Sequence, residues 1–317
     1  MGRNTRRPDD YAPLLEFYLR KKSEGGSVRS PGDLRGSLES RARKTCLILV
    51  HGFNNTDSEA AIAYRGFRKR QIEIFAGQLE KTIESYFGDA FWPGDADWWW
   101  VFDKADFLVY PVSVHAAKKA AKELFELIVR MPNLEQLDII AHSLGCRVTL
   151  ETLLLLRSRA LPRVRSVCFM AAAVPAEMLE PGGRFYDLLV QLGSEGTRVE
   201  VLHSDSDTVL HYAFPPGQAA AGGGEGSLRA LGRVGVTQTM PWAGYSLNGQ
   251  PVAGAKHGDY WGHSGTTASK SATKAAGQFL DIGVFGRELG MSRALSTPAE
   301  PGIEPRDLSP DRRIPGA

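Results

Sequence analysis

The segment that most constrains the fold is Leu137-Asp138-Ile139-Ile140-Ala141-His142-Ser143-Leu144-Gly145-Cys146-Arg147. Apolar residues 137–140 predict a strand, and the leucines at 150, 153, 154 and 156 predict a helix from 144 to about 157. Between them lies a small-x-Ser-x-Gly turn. A serine aimed out of the end of a sheet on such a turn needs a strained backbone with positive φ. The residues two before and two after it then crowd together, and both are small here, Ala141 and Gly145. The turn also sets the N–H of Leu144 at a helix N-terminus, where the helix dipole and an unpaired donor favour developing negative charge. Ser143 is therefore a candidate nucleophile on a strand–turn–helix elbow.

The rest of the chain repeats the strand–helix alternation. Thr45-Cys46-Leu47-Ile48-Leu49-Val50 is a continuous apolar run, as in a strand buried on both faces. A helix is expected from about 57 to 86, a strand over 87–92, and a helix over 113–130. Strands are expected over 134–140, 164–173 and 197–202, with mostly helical residues at 176–193 and a last helix over 267–280. Residues 228–255 are ambiguous, with short strands around 233–239 one option. This pattern predicts an α/β protein: a mostly parallel, doubly wound sheet with helices on both faces. Prolines and glycines break residues 1–43 into a loose arm holding one short helix and at most an edge strand. Residues 284–317 form a proline-rich tail that reads as disordered, and residues 215–226 as a flexible loop. The domain between arm and tail is expected over 44–283.

In an open parallel sheet, functional groups collect beyond the carboxyl ends of the strands. Three such ends besides the elbow carry informative residues. His51-Gly52-Phe53-Asn54 follows the first buried strand, and the N–H of Phe53 is a candidate second donor to an oxyanion, with Gly52 letting the chain turn in close. Asp207 precedes Thr208-Val209-Leu210, where it can cap a helix and orient a histidine, and one carboxylate can do both. Asp205 and, less favoured, Glu177 are the alternatives. His257 lies in a loop before the last helix and is the candidate base, with His263 and then His211 as rivals. Trp92 and the run Trp98-Trp99-Trp100, with Phe102, are aromatic enough to line a substrate cleft, and equally suited to a packing or partner surface.

Composition sets bounds. A chain of 317 residues suits one large α/β domain or two small ones, and 43% hydrophobic with 23% charged residues is ordinary for a globular protein. A net charge of +2 gives no reason to propose a nucleic-acid partner. Cys46, Cys146 and Cys168, an odd and sparse set, read as reduced buried thiols. No Cys/His cluster has zinc spacing and no glycine-rich loop carries the phosphate-binding Lys-Ser/Thr, so neither metal nor cofactor is expected. No apolar run is long enough to span a bilayer, no signal core follows the basic N-terminus, and Arg6 departs from the myristoylation pattern. A cytoplasmic protein is the default expectation, and export without a cleaved leader stays open.

Together these residues resemble the α/β-hydrolase superfamily. Within it the chain is most similar to a bacterial domain-of-unknown-function branch of serine-hydrolase-like proteins. The points of similarity are Val50-His51-Gly52-Phe53-Asn54-Asn55, Phe91-Trp92-Pro93-Gly94, Ala141-His142-Ser143-Leu144-Gly145 and Asp207-Thr208-Val209-Leu210. The resemblance covers roughly 44–283. It implies Ser143 as nucleophile, Asp207 as acid, His257 as base, and an oxyanion hole from the N–H groups of Phe53 and Leu144. It departs from the commonest pattern by Ala141 in place of Gly and by His-Gly-Phe-Asn in place of a glycine run. The activity expected is hydrolysis of a carboxylic ester, or of a thioester or amide, on a small or lipid-like acyl substrate. An acyltransferase on the same residues, or a non-catalytic scaffold on this fold, are the alternatives.

Overall fold

A computed structural model of the chain describes residues 15–22, 26–53, 55–75, 86–94, 106–215, 229–236 and 247–282, with the side chains of 106–113 and 248 excepted. The described residues hold eight strands, β1 (Leu15–Arg20), β2 (Val28–Gly36), β3 (Thr45–Val50), β4 (Phe87–Phe91), β5 (Gln136–His142), β6 (Arg163–Met170), β7 (Arg198–His203) and β8 (Leu247–Pro251). They form one sheet in the order β2-β1-β4-β3-β5-β6-β7-β8. Every neighbouring pair is parallel except β1 with β2. This is the doubly wound α/β architecture expected from the strand–helix alternation.

The centre of the sheet is where the sequence is most apolar. Ile48 lies opposite Ile139, Leu49 opposite Ile140 and Val50 opposite Ala141, and all six are fully buried. A parallel strand covered on both faces has no solvent side, so its residues do not alternate with polar ones. The helices are α1 (Leu38–Arg41), α2 (Asp57–Phe75), α3 (Asp106–Val129), α4 (Gly145–Leu156), α5 (Tyr186–Ser194), α6 (Thr208–Tyr212), α7 (Leu231–Val234) and α8 (Thr267–Phe279), with short 3-10 turns at Ala176–Leu179 and His257–Trp261. α2 packs against α8 on one face of the sheet, and α3 against α4 on the other.

The N-terminal residues depart from expectation. Residues 15–20, expected as a short helix in a loose arm, are instead β1, an interior strand between β2 and β4, while β2 is the edge strand the arm was allowed. The alternation Leu15, Phe17, Leu19 buries one face of β1 completely. In β2, Pro31 and Gly32 hide the strand from pattern reading, yet β2 is the edge, where a proline removes no ladder hydrogen bond. Three other boundaries also shift. α3 begins at Asp106 rather than 113, β6 stops at Met170, where Ala171 adopts φ 46°, and residues 231–234 are a short helix, with the last strand at Leu247–Pro251. The expected flexible loop beyond Pro215, the Trp98–Trp100 run, Phe102, Asn54 and the tail from residue 283 lie outside the described residues.

Polar groups inside the sheet are paired. Arg68 of α2 reaches Asp89 of β4 through two hydrogen bonds, with both side chains buried. Asp138 of β5 accepts from Arg165 and from the Tyr86 hydroxyl. Such pairs leave no uncompensated charge, which would otherwise cost several kcal/mol.

Glu200 of β7 differs. It sits opposite Cys168 of β6 in the register, is 7% exposed, and burial pushes its carboxyl up to about 7 despite Arg198 nearby. A carboxyl whose folded-state pKa is raised favours folding when protonated. Its penalty is full above about pH 7 and fades as pH falls toward the usual carboxylate range. Glu200→Gln should therefore raise the urea midpoint at pH 8, and the advantage over wild type should shrink steadily down to pH 5. Equal midpoints at pH 8 would contradict this.

Candidate functional site

The site is built at the carboxyl ends of β3, β5 and β7. Ser143, directly after β5, has φ 54°, the left-handed conformation expected of a serine at a sharp strand-to-helix turn. Its N–H donates to Met170 O at 3.0 Å, and its carbonyl accepts from Ala173 N at 3.1 Å and from Cys146 N at 3.1 Å. The strained residue is thus tied to the end of β6 and to the first turn of α4.

Glycines let a second loop close over this turn. A Cβ at Gly145 would lie 2.2 Å from His51 O, and one at Gly52 would lie 2.7 Å from the Ser143 Cβ. The loop after β3 therefore passes in backbone contact with the elbow. The N–H groups of Phe53 and Leu144 follow directly on Gly52 and Ser143. Neither donates to any acceptor among the described residues.

Asp207 is fully buried at the N-terminus of α6. Its two oxygens do different work. Oδ1 accepts from Leu210 N at 3.0 Å and caps the helix, while Oδ2 accepts from His257 Nδ1 at 2.8 Å. With the proton on Nδ1, the Nε2 of His257 is left as an acceptor, and it lies 2.9 Å from Ser143 Oγ. His257 opens the 3-10 turn that ends at Trp261. Trp261 is nearly buried edge-on against Tyr64 and Phe67 of α2 and anchors that turn. The carbonyl of His257 accepts from His142 Nε2 at 2.7 Å.

The rivals lie elsewhere. Asp205 is exposed and accepts from Ser206 Oγ, Glu177 pairs with Arg229, His211 is exposed against Tyr212, and His263 sits against Gly66 of α2. Trp92 does not line a cleft. It is fully buried, its ring stacked on His51 at 5.7 Å, and its Nε1–H donates to His51 O at 2.8 Å. An indole with no exposed surface has nothing left to offer a substrate. Trp98 lies outside the described residues. Among the described residues no three His, Cys, Asp or Glu side chains are grouped as a metal site.

Sequence reading missed how thoroughly the loop after β3 is held. His51 is buried, and burial takes its pKa down to about 3, so the ring is neutral. Its Nδ1–H donates to Gly52 O at 2.8 Å, its Nε2 accepts from Trp92 N at 3.2 Å, and its backbone N–H donates to the Tyr64 hydroxyl at 2.6 Å. That hydroxyl donates onward to Ala90 O. His142 is neutral for the same reason, burial first and the neighbouring His257 second, with its pKa down to about 3. The sequence signal for these roles is slight: two histidines at the ends of buried strands.

A mostly parallel sheet, crossing helices on both faces and a serine raised on a positive-φ turn after the fifth strand define an α/β hydrolase. The chain belongs to the family described as "Alpha/beta hydrolase of unknown function (DUF900)", whose model matches residues 29–214, more than half of the chain. The match includes Ser143 and Asp207 and ends before His257. No curated protein matches the chain. Among solved structures, an uncharacterized protein from Bacillus cereus is similar at 17% identity and TM-score 0.40, over 82% of this chain and 65% of that one. This chain thus spans less than two thirds of that relative. A lipase-esterase related protein from Clostridium acetobutylicum is similar at 12% identity and TM-score 0.37, over 75% of this chain and 96% of the other. An esterase from Pyrobaculum calidifontis is similar at 11% and 0.39, over 78% and 77%.

The close approach of the two loops predicts a contrast between glycines. Gly145→Ala should cost about 3 kcal/mol, as overpacking against a fixed carbonyl does. Gly258→Ala, where a Cβ meets nothing within 4 Å, should be nearly neutral. Urea unfolding of the two variants checks this, and equal midpoints would contradict it.

Proposed function

We propose that the protein is a serine hydrolase that cleaves a carboxylic ester through an acyl-enzyme on Ser143. The observation that carries this reading is His257, hydrogen-bonded at once to Ser143 Oγ and to the buried Asp207. That is the chain of contacts a general base needs in order to take a proton from a hydroxyl while its own tautomer is held. In this reading His257 Nε2 takes the Ser143 proton as Oγ attacks the ester carbonyl carbon. The carbonyl oxygen becomes an oxyanion, held by the N–H groups of Phe53 and Leu144. The C–O bond to the leaving group then breaks, and His257 returns the proton to the departing alkoxide, releasing an alcohol. Water enters, His257 takes a proton from it, and the hydroxide attacks the acyl carbon. Collapse of the second tetrahedral intermediate releases the acid and restores the Ser143 hydroxyl.

The substrate class proposed is a small or lipid-like acyl ester, with thioester or amide next. No described helix is long and apolar enough to cross a membrane. Cys46, Cys146 and Cys168 are free and buried, with thiol pKa values raised by burial, which suits the reducing cytoplasm proposed as its location.

Labelling with a fluorophosphonate probe tests the reading. Wild type should be labelled, and Ser143→Ala and His257→Ala should not. Ser143→Ala should lower kcat on a p-nitrophenyl ester by about 10⁴-fold or more. Asp207→Asn is more discriminating. The amide oxygen can still cap α6, so the fold should hold, but the histidine loses its carboxylate and kcat should fall by about 10⁴-fold. A folded wild type that takes no label, or a Ser143→Ala variant with full turnover, would overturn the proposal.

A further inference from the structure

Arg20 is the last residue of β1, and it is fully buried. β1 runs parallel to β4, with Tyr18 opposite Phe91, so its carboxyl end emerges at the same end of the sheet as the candidate site. The guanidinium donates there to three main-chain carbonyls. Nε reaches Lys22 O at 3.1 Å, and Nη1 reaches Asn55 O at 3.0 Å and Trp92 O at 3.3 Å. Two of those acceptors belong to the segments that flank the His51-Gly52-Phe53 turn.

From Arg20, two chains of hydrogen bonds lead to one peptide group. In the first, Arg20 holds the backbone of Asn55, and the Asn55 side-chain amide donates to Phe53 O at 2.9 Å and to Gly52 O at 3.4 Å. In the second, Arg20 holds the Trp92 carbonyl, Trp92 grips His51 through its main-chain N–H and its indole N–H, and His51 Nδ1–H donates to Gly52 O at 2.8 Å. Both end on the Gly52 carbonyl. In a trans peptide the C=O and the next N–H are fixed in one plane and point in opposite directions. Whatever holds the Gly52 carbonyl therefore aims the N–H of Phe53.

We infer that Arg20 is a positioning residue for the oxyanion-binding loop, setting the direction of the Phe53 N–H by clamping the Asn55 and Trp92 carbonyls together. The inference rests on the serine-hydrolase reading above. It also gives a part in the site to a strand that lies outside the family match, which starts at residue 29. Arginine suits the place. It offers five donors in a rigid fork, accepts nothing, and stays charged, so it can gather carbonyl oxygens from three segments where a lysine would reach fewer. Tyr18, two residues earlier, donates to Asp57 Oδ2 at 2.9 Å and ties the same strand to the start of α2.

The test uses the full chain and three variants, Arg20→Lys, Arg20→Met and Tyr18→Phe. Kinetics on a p-nitrophenyl ester are paired with inhibition by a trifluoromethyl ketone, which forms a tetrahedral adduct with an oxyanion. Misaiming one donor should cost about 100-fold in kcat for Arg20→Met and about 10-fold for Arg20→Lys, with KM changed little. Ketone affinity should weaken in parallel with kcat/KM. Tyr18→Phe, which leaves the fork intact, should keep kcat near wild type.

A folded Arg20→Met with wild-type kcat, or with lowered kcat but unchanged ketone affinity, would overturn the inference. If Arg20→Met does not fold, Arg20→Lys decides by the same two criteria. Hydrogen–deuterium exchange supplies a readout independent of activity. Exchange over 51–56 and 92–94 should quicken in the Arg20 variants while that of β5 and β6 stays unchanged, and no local change would overturn the clamp. A wild type inert to esters and to the fluorophosphonate would defeat the proposed function instead, and the exchange result would still decide whether Arg20 clamps the loop.

Discussion

The structure depends on two backbones coming closer than side chains allow. β3 and β5 are neighbours, and the turns at their carboxyl ends touch. One turn carries Ser143 in a positive-φ conformation, and the other carries the His51-Gly52-Phe53 loop. Any side chain at Gly52 would strike Ser143, and any at Gly145 would strike the carbonyl of His51. Gly94 repeats the theme from the far side, since a Cβ there would lie 2.8 Å from Gly52 O. The two N–H groups proposed to hold an oxyanion belong to residues that follow these contacts. Their separation is set by backbone packing rather than by side-chain rotamers. In the reaction proposed, a site prepared in this way has little reorganisation left to do when charge develops.

Three histidines meet near Ser143, and burial assigns them different duties. His51 and His142 have no exposed surface to speak of, and desolvation keeps both neutral. A neutral imidazole has one donor and one acceptor, and each of these rings spends its donor on a main-chain carbonyl, Gly52 for His51 and His257 for His142. They act as braces. His257 is the more exposed of the three and the one whose ring faces a carboxylate. The role proposed for His257 thus rests on position rather than on residue type.

How legible this was depended on how local the cause was. The elbow could be read because its requirements fall within five consecutive residues: small, any, Ser, any, Gly. β3 could be read because a doubly buried strand is apolar throughout. The order Ser143, Asp207, His257 was legible as a pattern, but 114 residues separate Ser143 from His257, and only the fold shows that their side chains meet. The dual duty of Asp207 was legible for the same reason as the elbow, since capping is a short-range event. β1 reads as a short helix because Leu15, Phe17, Tyr18 and Leu19 are clustered apolar residues, and β2, where an edge strand was allowed, is hidden by Pro31 and Gly32. They make sense only once β2 is known to be the edge and Arg20 is known to meet carbonyls. The place of Trp92 is not legible, because an aromatic residue before Pro93-Gly94 suits a cleft as well as a core, and the partner that decides, His51, lies 41 residues away.

The parts of the site therefore divide by where they come from along the chain. The family match spans 29–214 and holds the elbow, the His51 loop and Asp207. The histidine that bridges them enters from beyond it, on a 3-10 turn fastened to α2 by Trp261, and the arginine proposed to brace the loop enters from before it, on β1. An acid and a serine without the bridging ring would be a capped helix and a strained turn. An unbraced loop would leave the direction of the Phe53 N–H to thermal motion. Each added segment is attached by burial of a large side chain, Trp261 in one case and Phe17 with Leu19 in the other. The packing that secures these segments to the sheet is thus the same packing that completes the site.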